Sequence, residues 1–265
     1  MHTRPRLDGL DLARFLAFVG MVLVNFAIVM GAPTDGSLVF TALQGKAAAT
    51  FVVLAGIGLG LASPNVSPTI KRGMFLLVVG LANTLIFEAD ILHYYGVYFI
   101  IAAAVVTAST RSLVLAILAV NMAFLALLFV LDYEAGWNWT NYTYAGFWTP
   151  EGFVRNLFFN GWHPVLPWIG FIFFGMALAR LPLHERATQH RLIAWGLAIL
   201  AVVTTLSAGL TNTTSDEDLR AMLDTSPLPP TLPYTLAGMA SATFVIGACI
   251  RWSDRLGAAL RMIAP

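Results

Sequence analysis

Long apolar runs alternate with short polar segments along the whole chain. A helix needs about 20 mostly apolar residues to cross the hydrocarbon layer of a membrane, within a range of roughly 17–25. Eight segments reach or approach that length: 10–31, 46–62, 72–88, 91–109, 112–131, 161–180, 191–210 and 232–250. Because backbone polar groups in lipid must be paired within the protein, we predict that these eight segments are transmembrane helices.

The composition supports this interpretation. Hydrophobic residues make up 58% of the 265 residues and charged residues only 11%, whereas a soluble domain carries roughly a quarter charged residues. These few charges exclude an ordinary soluble enzyme, a disordered chain and a nucleic-acid-binding protein. We predict an all-α, polytopic transmembrane bundle of about eight spans that forms a single domain over residues 1–265. The final residues, GAALRMIAP, look like the approach to another helix, so we expect the bundle to be truncated from a larger one.

Lysine and arginine residues concentrate on alternate connections between the predicted spans. Three of them, Lys46, Arg155 and Arg220, fall on one side of the membrane. The other twelve fall on the side of the N-terminus: Arg4, Arg6, Arg14, Lys71, Arg72, Arg111, Arg180, Arg186, Arg191, Arg251, Arg255 and Arg261. Since cytoplasmic loops carry the excess of basic residues, we predict a cytoplasmic N-terminus.

The first predicted span carries polar residues along one face. Arg14 and Asn25 are eleven residues apart, which returns to within about 20° of the same helix face, and Asp11 lies on the same stripe. Ionisable side chains at membrane depth usually face a bundle interior or a cavity. The alternative is a local ion pair between Asp11 and Arg14, with Arg14 reaching the membrane surface.

Two histidines lie near the starts of later spans. Asp90 and His93 share a helix face, and a neighbouring carboxylate orients an imidazole and raises its basicity, as a general base requires. The alternative is that Asp90 only stabilises the positive end of a helix. His163 precedes Pro164 at the start of the sixth span, either as a second candidate base or as an interfacial histidine without a chemical role.

Several polar residues map to the same half of the membrane, opposite the N-terminus: Asn25, Lys46, Glu88, Asp90, His93, Arg155 and His163. This grouping predicts a site in the outer half of the bundle. Gly56 and Gly60 form a small-residue pattern typical of helix packing. With one cysteine, Cys249, and dispersed histidines, we expect no metal site.

Four blocks of the sequence resemble a bacterial YeiB-like membrane family related to the catalytic domain of heparan-α-glucosaminide N-acetyltransferase. They are RLDGLDLARFLAFVGMVLVNF, GKAAATFVVLAGIGLGLA, KRGMFLLVVGLANTLIFEADILHYYGVYF and NGWHPVLPWIGFIFFGMALAR. The resemblance implies a helical bundle in a bacterial plasma membrane that moves an acyl group from cytosolic acyl-CoA to an acceptor on the far side.

In the first helix the sequence departs from the pattern of the related enzymes. Asn25 matches an asparagine of the lysosomal-type enzymes, but the histidine that follows it there has no counterpart here, since no histidine lies between His2 and His93. In related O-acyltransferases a histidine stands eleven residues after an arginine, and here Asn25 takes that position after Arg14. The base role therefore falls to His93 or His163, or the chemistry differs.

We therefore expect a transmembrane acyltransferase that moves an acetyl group from acetyl-CoA to an extracytoplasmic amine or hydroxyl acceptor such as an amino sugar. The expected catalytic residues are His163 or His93 as base, Asp90 to orient His93, and Asn25 at the oxyanion. The expected donor contacts are Arg14, Lys71 and Arg72. The expected partners are the lipid bilayer, acyl-CoA and the acceptor, without nucleic acid.

Two other functions and the assembly state stay open on the sequence. The polar stripe also fits a transporter or flippase for a small polar or anionic solute, because intramembrane charges mark translocation paths as well as active sites. The chain also fits a structural subunit whose partner carries the chemistry. A homo-oligomer is a further open alternative.

Overall fold

The computed structural model describes residues 7–30, 37–62 and 65–253. Its elements in chain order are α1 (Asp8–Val29), α2 (Leu38–Leu43), α3 (Lys46–Leu61), α4 (Val66–Asn83), α5 (Leu92–Ala104), α6 (Thr110–Leu128), β1 (Trp137–Asn138), β2 (Thr143–Tyr144), α7 (Pro150–Arg155), a π-helical turn (Asn156–Asn160), α8 (Val165–Leu178), α9 (Arg186–Thr213), α10 (Glu217–Leu223) and α11 (Leu232–Trp252). Arg4, Arg6, Arg255, Arg261 and the final segment 257–265, which the sequence predictions use, lie outside the described residues.

The all-α polytopic bundle is confirmed. Each of the eight predicted spans corresponds to a helix, namely α1, α3, α4, α5, α6, α8, α9 and α11. By length and composition, five spans of the described chain can cross a membrane, or six if the helix Pro150–Asn160 and α8, bent by 47°, form one broken span. One of the five is Leu38–Leu61, so α2 and α3 together form a span longer than the predicted 46–62.

Two helices differ from their predicted bounds. Helix α4 begins at Val66 rather than at 72 and ends at Asn83 rather than at 88; its first turns include the polar Ser67 and Thr69 and the charged Lys71, which an apolar run cannot detect. Helix α5 has 13 residues and ends at Ala104, which is shorter than the predicted 91–109. Apolar runs therefore locate these helices but do not fix their ends.

A small hairpin lies between α6 and α7, in the connection between two of the predicted spans. Strands β1 and β2 are antiparallel, with Trp137 opposite Tyr144 and Asn138 opposite Thr143. Gly136, which precedes β1, has a φ of +90°, a conformation that glycine adopts without steric cost. Two-residue strands are too short for hydrophobic alternation to show in the sequence.

Helices α3 and α8 form the centre of the bundle and approach each other closely through glycines. A Cβ atom at Gly56 would collide with the carbonyl of Ile172, and one at Gly175 would collide with the carbonyl of Val53. Helix α8 also packs against α6, whereas α11 packs against α3 and α9. The predicted packing role of Gly56 is therefore confirmed, since only glycine permits this backbone approach.

Basic side chains collect at one end of the bundle, as the sequence predicts. Arg14 lies beside Gly58 near the end of α3, at a distance of 3.7 Å from a Cβ built there. Arg180, after α8, donates to the hydroxyl of Thr110 at 2.8 Å, and Arg251 of α11 donates to His190 of α9 at 3.1 Å. We call this the Arg14 end and the opposite one the Asn25 end.

The close contact of α3 with α8 predicts a large effect of a small substitution. Gly56→Ala should lower the free energy of unfolding by about 1–3 kcal/mol, because the added methyl group forces the two backbones apart. The melting temperature of the protein in detergent is measured from the loss of the monodisperse gel-filtration peak as the sample is heated. Gly209→Ala in α9 is the control, since a Cβ there meets nothing within 4 Å. Equal melting temperatures for the two variants would contradict the packing assignment.

Candidate functional site

A cavity of about 730 Å³ opens at the Asn25 end of the bundle. One wall is α1, which contributes Met21, Val24, Asn25 and Ile28. The other walls are the start of α3, the connection between α4 and α5, the tip of the hairpin and the residues that precede α8. Clefts of this size and largely apolar lining are typical of small-molecule sites.

The cavity brings together three of the predicted site residues. Asn25, Asp90 and His163 all line it, although they lie on α1, before α5 and before α8. His93 is not among the lining residues; it lies one helical turn beyond Asp90 and is 1% exposed. The two candidate bases therefore differ in position: His163 borders the cavity, whereas His93 is buried behind its wall.

The predicted donor contacts lie at the Arg14 end, away from the cavity. Arg14 is eleven residues before Asn25, a separation of about 16 Å along the helix axis. Its guanidinium pairs with Asp11 at 2.6 Å and stays 40% exposed, so the local ion pair that the sequence left open is formed. Lys71 and Arg72 are exposed on the first turns of α4.

Asp90 is held by hydrogen bonds on both carboxylate oxygens. Its Oδ1 accepts from the Asn83 side chain at 2.8 Å, and its Oδ2 accepts from the His93 backbone N–H at 3.0 Å and contacts the His93 Nδ1 at 2.9 Å. Burial raises the pKa of Asp90, but the hydrogen bonds from His93 and Asn83 outweigh it and hold the pKa below its ordinary value. The carboxylate is therefore ionised at the cavity wall.

His93 is enclosed by aromatic rings. Its ring centroid lies 3.9 Å from that of Tyr94 and 5.8 Å from that of Phe147, and its Nε2 has no hydrogen-bond partner among the described residues. The Tyr94 hydroxyl in turn donates to the side chain of Asn156 at 2.5 Å, in the π-helical turn. His93 thus connects the Asp90 carboxylate with the segment that leads to His163.

His163 is fixed from two sides. Its backbone carbonyl accepts a hydrogen bond of 2.5 Å from Tyr98 of α5, and its ring meets Trp168 of α8 edge-on, with centroids 4.5 Å apart. The residue is half-buried, and the described part of the chain provides no hydrogen-bond partner for its Nδ1. Because this Nδ1 is buried, an imidazole held in this way exchanges a proton with a molecule in the cavity only through its Nε2.

Asn160 ties the hairpin to the bundle, a role that the sequence analysis missed. The side chain is fully buried, and its Nδ2 donates to the carbonyls of Tyr133 and Ala135, both at 2.8 Å. Its Oδ1 accepts from the Tyr144 hydroxyl at 2.9 Å, and its backbone carbonyl accepts from the Trp137 indole at 2.6 Å. The only sequence signal is an asparagine that directly follows an apolar stretch.

The hairpin tip and a second loop form the rim of the cavity. Asn141, Tyr142 and Thr143 line it from the hairpin, and Pro227 and Leu228 line it from the loop before α11. That loop can approach because Gly45, with a φ of +68°, leaves no side chain where Pro227 packs. The sequence of this loop is rich in proline, but nothing in it indicates this contact.

The charged side chains described on the cavity lining are all acidic. Glu88 and Asp90 both border the cavity, and no lysine or arginine of the described chain does so. Of the other polar residues predicted for this half, Arg155 donates to the Tyr144 hydroxyl at 2.9 Å, and Lys46 donates to the Thr41 carbonyl at 3.2 Å. Within the described ranges, no group of three or more metal-ligating side chains is present.

Comparison with known proteins identifies the family. The family model described as "Heparan-alpha-glucosaminide N-acetyltransferase, catalytic" matches residues 6–210, and the chain therefore belongs to this family. All the predicted site residues fall within the matched range, whereas Pro227 and Leu228 lie beyond it. No curated protein and no solved structure matches the chain.

The hydrogen bonds of Asn160 predict that the hairpin detaches when they are removed. Asn160→Ala should increase chymotrypsin cleavage at the aromatic residues of 133–148 by about tenfold, because a buried tether with several hydrogen bonds is lost and the carbonyls of Tyr133 and Ala135 lose their donor. Fragment mass spectrometry locates the cleavage sites. The control is Asn212→Ala, at an exposed position on α9. Unchanged cleavage in Asn160→Ala would show that the hairpin is held by other contacts.

Proposed function

We propose that this member of the family transfers the acetyl group of acetyl-CoA to an amine-bearing acceptor inside the cavity at the Asn25 end. The observation that carries the proposal is the grouping of Asn25, Asp90 and His163 around one space. These three residues come from distant parts of the chain and include an amide donor, an ionised carboxylate and an imidazole. Together they supply the group types that acyl transfer to an amine requires.

The membrane orientation follows from the distribution of basic residues. The Arg14 end carries most of the lysine and arginine residues and faces the cytoplasm under the positive-inside rule. The cavity then opens on the outer side of a bacterial plasma membrane, and the N-terminus is cytoplasmic. Cytosolic acetyl-CoA and an outer acceptor therefore approach the reaction from opposite sides.

The charges of the two ends suit the two parts of the donor substrate. The phosphates of CoA are attracted by Arg14, Lys71 and Arg72, which are exposed at the basic end. Among the described residues, the charged groups on the cavity lining are Glu88 and Asp90, so the cavity repels phosphate but accepts the neutral thioester. The donor must then extend over about 16 Å, the axial separation of Arg14 and Asn25.

The acidic lining favours an amine over a hydroxyl acceptor. Glu88 and Asp90 attract the ammonium form, and loss of one proton to water leaves the nucleophilic amine. The amine nitrogen attacks the thioester carbonyl carbon, the C–N bond forms, the C–S bond breaks and CoA leaves as a thiolate. His163 takes the second proton from the nitrogen and passes it to the thiolate, and the products are an amide and free CoA. The Asn25 side chain donates a hydrogen bond to the oxyanion that develops.

His163 is assigned as the base because it borders the cavity, whereas His93 does not. His93 is a positioning residue in this scheme: it holds the Asp90 carboxylate through two contacts and packs on Tyr94. Asp90 in turn has its orientation fixed, so the negative charge stays at the wall. In other sites, too, reacting groups are held in place by hydrogen bonds from neighbouring side chains.

The assignment of the base predicts that substituting the two histidines reduces acetyl transfer to different extents. With radiolabelled acetyl-CoA and a panel of amino sugars, His163→Gln should reduce the release of free CoA by about 10²–10⁴-fold, the usual contribution of a general base. His93→Gln should cause a smaller loss and should also raise the KM for the acceptor, because Asp90 is displaced. His184→Gln and His190→Gln, outside the cavity, are the matched controls.

Two results would contradict the proposal in different ways. If His93→Gln abolished CoA release and His163→Gln left it normal, the base would be His93 and not His163. Absence of CoA release with every acceptor, together with a melting temperature that acetyl-CoA does not raise, would remove the donor and favour the transporter alternative.

The donor assignment makes a separate prediction. Arg14→Ala should raise the KM for acetyl-CoA about tenfold, equivalent to about 1.4 kcal/mol, because a charge that attracts the phosphates is lost. The KM for the acceptor should stay within a factor of two or so, since Arg14 does not border the cavity. Arg220→Ala, an exposed arginine on α10, is the matched control. The two KM values are obtained from initial rates of CoA release, and equal shifts of both would contradict a specific donor contact.

A further inference from the structure

We infer, on the basis of the proposed function, that the acceptor is an amphiphile: an amine-bearing head group joined to a long apolar chain, which enters from the bilayer between α1 and the connection of α4 with α5. The inference concerns the substrate class of the same cavity. It rests on the lining of the cavity, on a gap in its wall and on the surface that surrounds the gap.

The lining of the cavity is largely apolar away from its few polar groups. Helix α1 presents Met21, Val24 and Ile28 on one face, spaced at three and four residues as neighbours on a helix are. The opposite wall presents Phe87 and Ile91 from the connection after α4. A small, fully polar acceptor gains nothing from these side chains, whereas an alkyl chain gains about 0.8 kcal/mol for each CH₂ group that leaves water.

The described residues leave a gap in the wall of the cavity between α1 and the connection of α4 with α5. Ile28 and Phe87 both line the cavity and are also 37% and 39% exposed on the surface of the bundle. Helix α1 packs mainly against α3 and α11, whereas α4 packs against α5. Because both helices border the cavity and each has its main packing partner elsewhere, the space between them leads to the outside.

The surface on both sides of this gap is apolar. Leu23 and Phe26 of α1 are 54% and 62% exposed, and Leu85 and Ile86 beyond α4 are 73% and 89% exposed. Exposed apolar side chains in this density on a transmembrane bundle are in contact with lipid. The gap therefore opens to the hydrocarbon layer, which is where the chain of an amphiphile lies.

The polar end of the cavity suits the head group of the same molecule. Glu88 and Asp90 complement a cationic amine, and His163 stands beside them on the lining. Tyr142 and Trp162 line the cavity as well, with ring centroids 5.9 Å apart, and such rings prefer the membrane interface. An amphiphile that enters from the lipid thus keeps its head group at the interface and its chain in the bilayer.

The test compares two acceptors that share a head group and differ only in the chain. These are the methyl and the dodecyl glycosides of 2-amino-2-deoxy-β-D-glucopyranose, supplied with acetyl-CoA to the whole protein in lipid nanodiscs. We expect kcat/KM to be about 100-fold higher for the dodecyl glycoside, since its chain occupies the apolar wall. Equal values for both would overturn the inference while leaving the acetyl-transfer function intact.

A pair of variants separates binding in the gap from simple partition into the lipid. Ile28→Trp narrows the gap and should bring the ratio of the dodecyl to the methyl value close to one by lowering the dodecyl value. Leu23→Trp, on the exposed part of α1 and not on the lining, should keep the ratio of the unaltered protein. A ratio that stays high in Ile28→Trp would mean that the lipid merely concentrates the substrate, and it would overturn the inference.

A second measurement requires no acetyl transfer. A photoactivatable dodecylamine with a diazirine on its chain is illuminated with the protein, and the labelled peptides are mapped by mass spectrometry. We expect labels on 21–28 and 86–92 that excess dodecylamine removes. Labels spread evenly over the lipid-facing helices would overturn the inference. If the labels were specific but neither glycoside caused CoA release from acetyl-CoA, the amphiphile site would stand and the proposed function would be wrong.

Discussion

The close approach of α3 and α8 is the contact on which the rest of the structure depends. Gly56 and Gly175 let the two backbones touch, and the helices run parallel, so their first turns lie at the same end of the bundle. Gly45 opens α3 at this end, and His163 precedes α8 there. The cavity lies beside these two helix starts. Small residues at one interface in the membrane thereby determine where residues from separate parts of the sequence meet.

The polar groups that border the cavity differ in how they are held. Asp90 is satisfied by Asn83 and His93, whereas His163 borders the cavity and its buried Nδ1 has no hydrogen-bond partner among the described residues. Unpaired polar groups are costly where water is scarce. Asp90 is therefore held by contacts within the fold while it borders the cavity, and the different positions of His163 and His93 are the basis of the different roles proposed for them.

Much of the fold was predictable because the membrane restricts the possible structures. Apolar runs located all eight predicted helices, although the bounds of α4 and α5 differ from the prediction, and the polar first turns of α4, up to Lys71, lie before its apolar run. The hairpin could not be predicted, because its strands have two residues each and its position depends on Asn160, a single buried tether. The contribution of Pro227 and Leu228 to the cavity depends on the space left at Gly45, a contact between residues far apart in sequence.

The sequence by itself determined the membrane class, the helical architecture, the unequal charge of the two ends, and Asn25, Asp90, His93 and His163 as residues of interest. It could do so because hydrophobicity and charge act locally along a chain that must cross a membrane. Only the tertiary structure decided that Asn25, Asp90 and His163 border one cavity, that His93 lies behind its wall, and that Arg14 pairs with Asp11 about 16 Å from Asn25. These are relations between helices, and helix packing fixes them through shape and contact that no single segment contains.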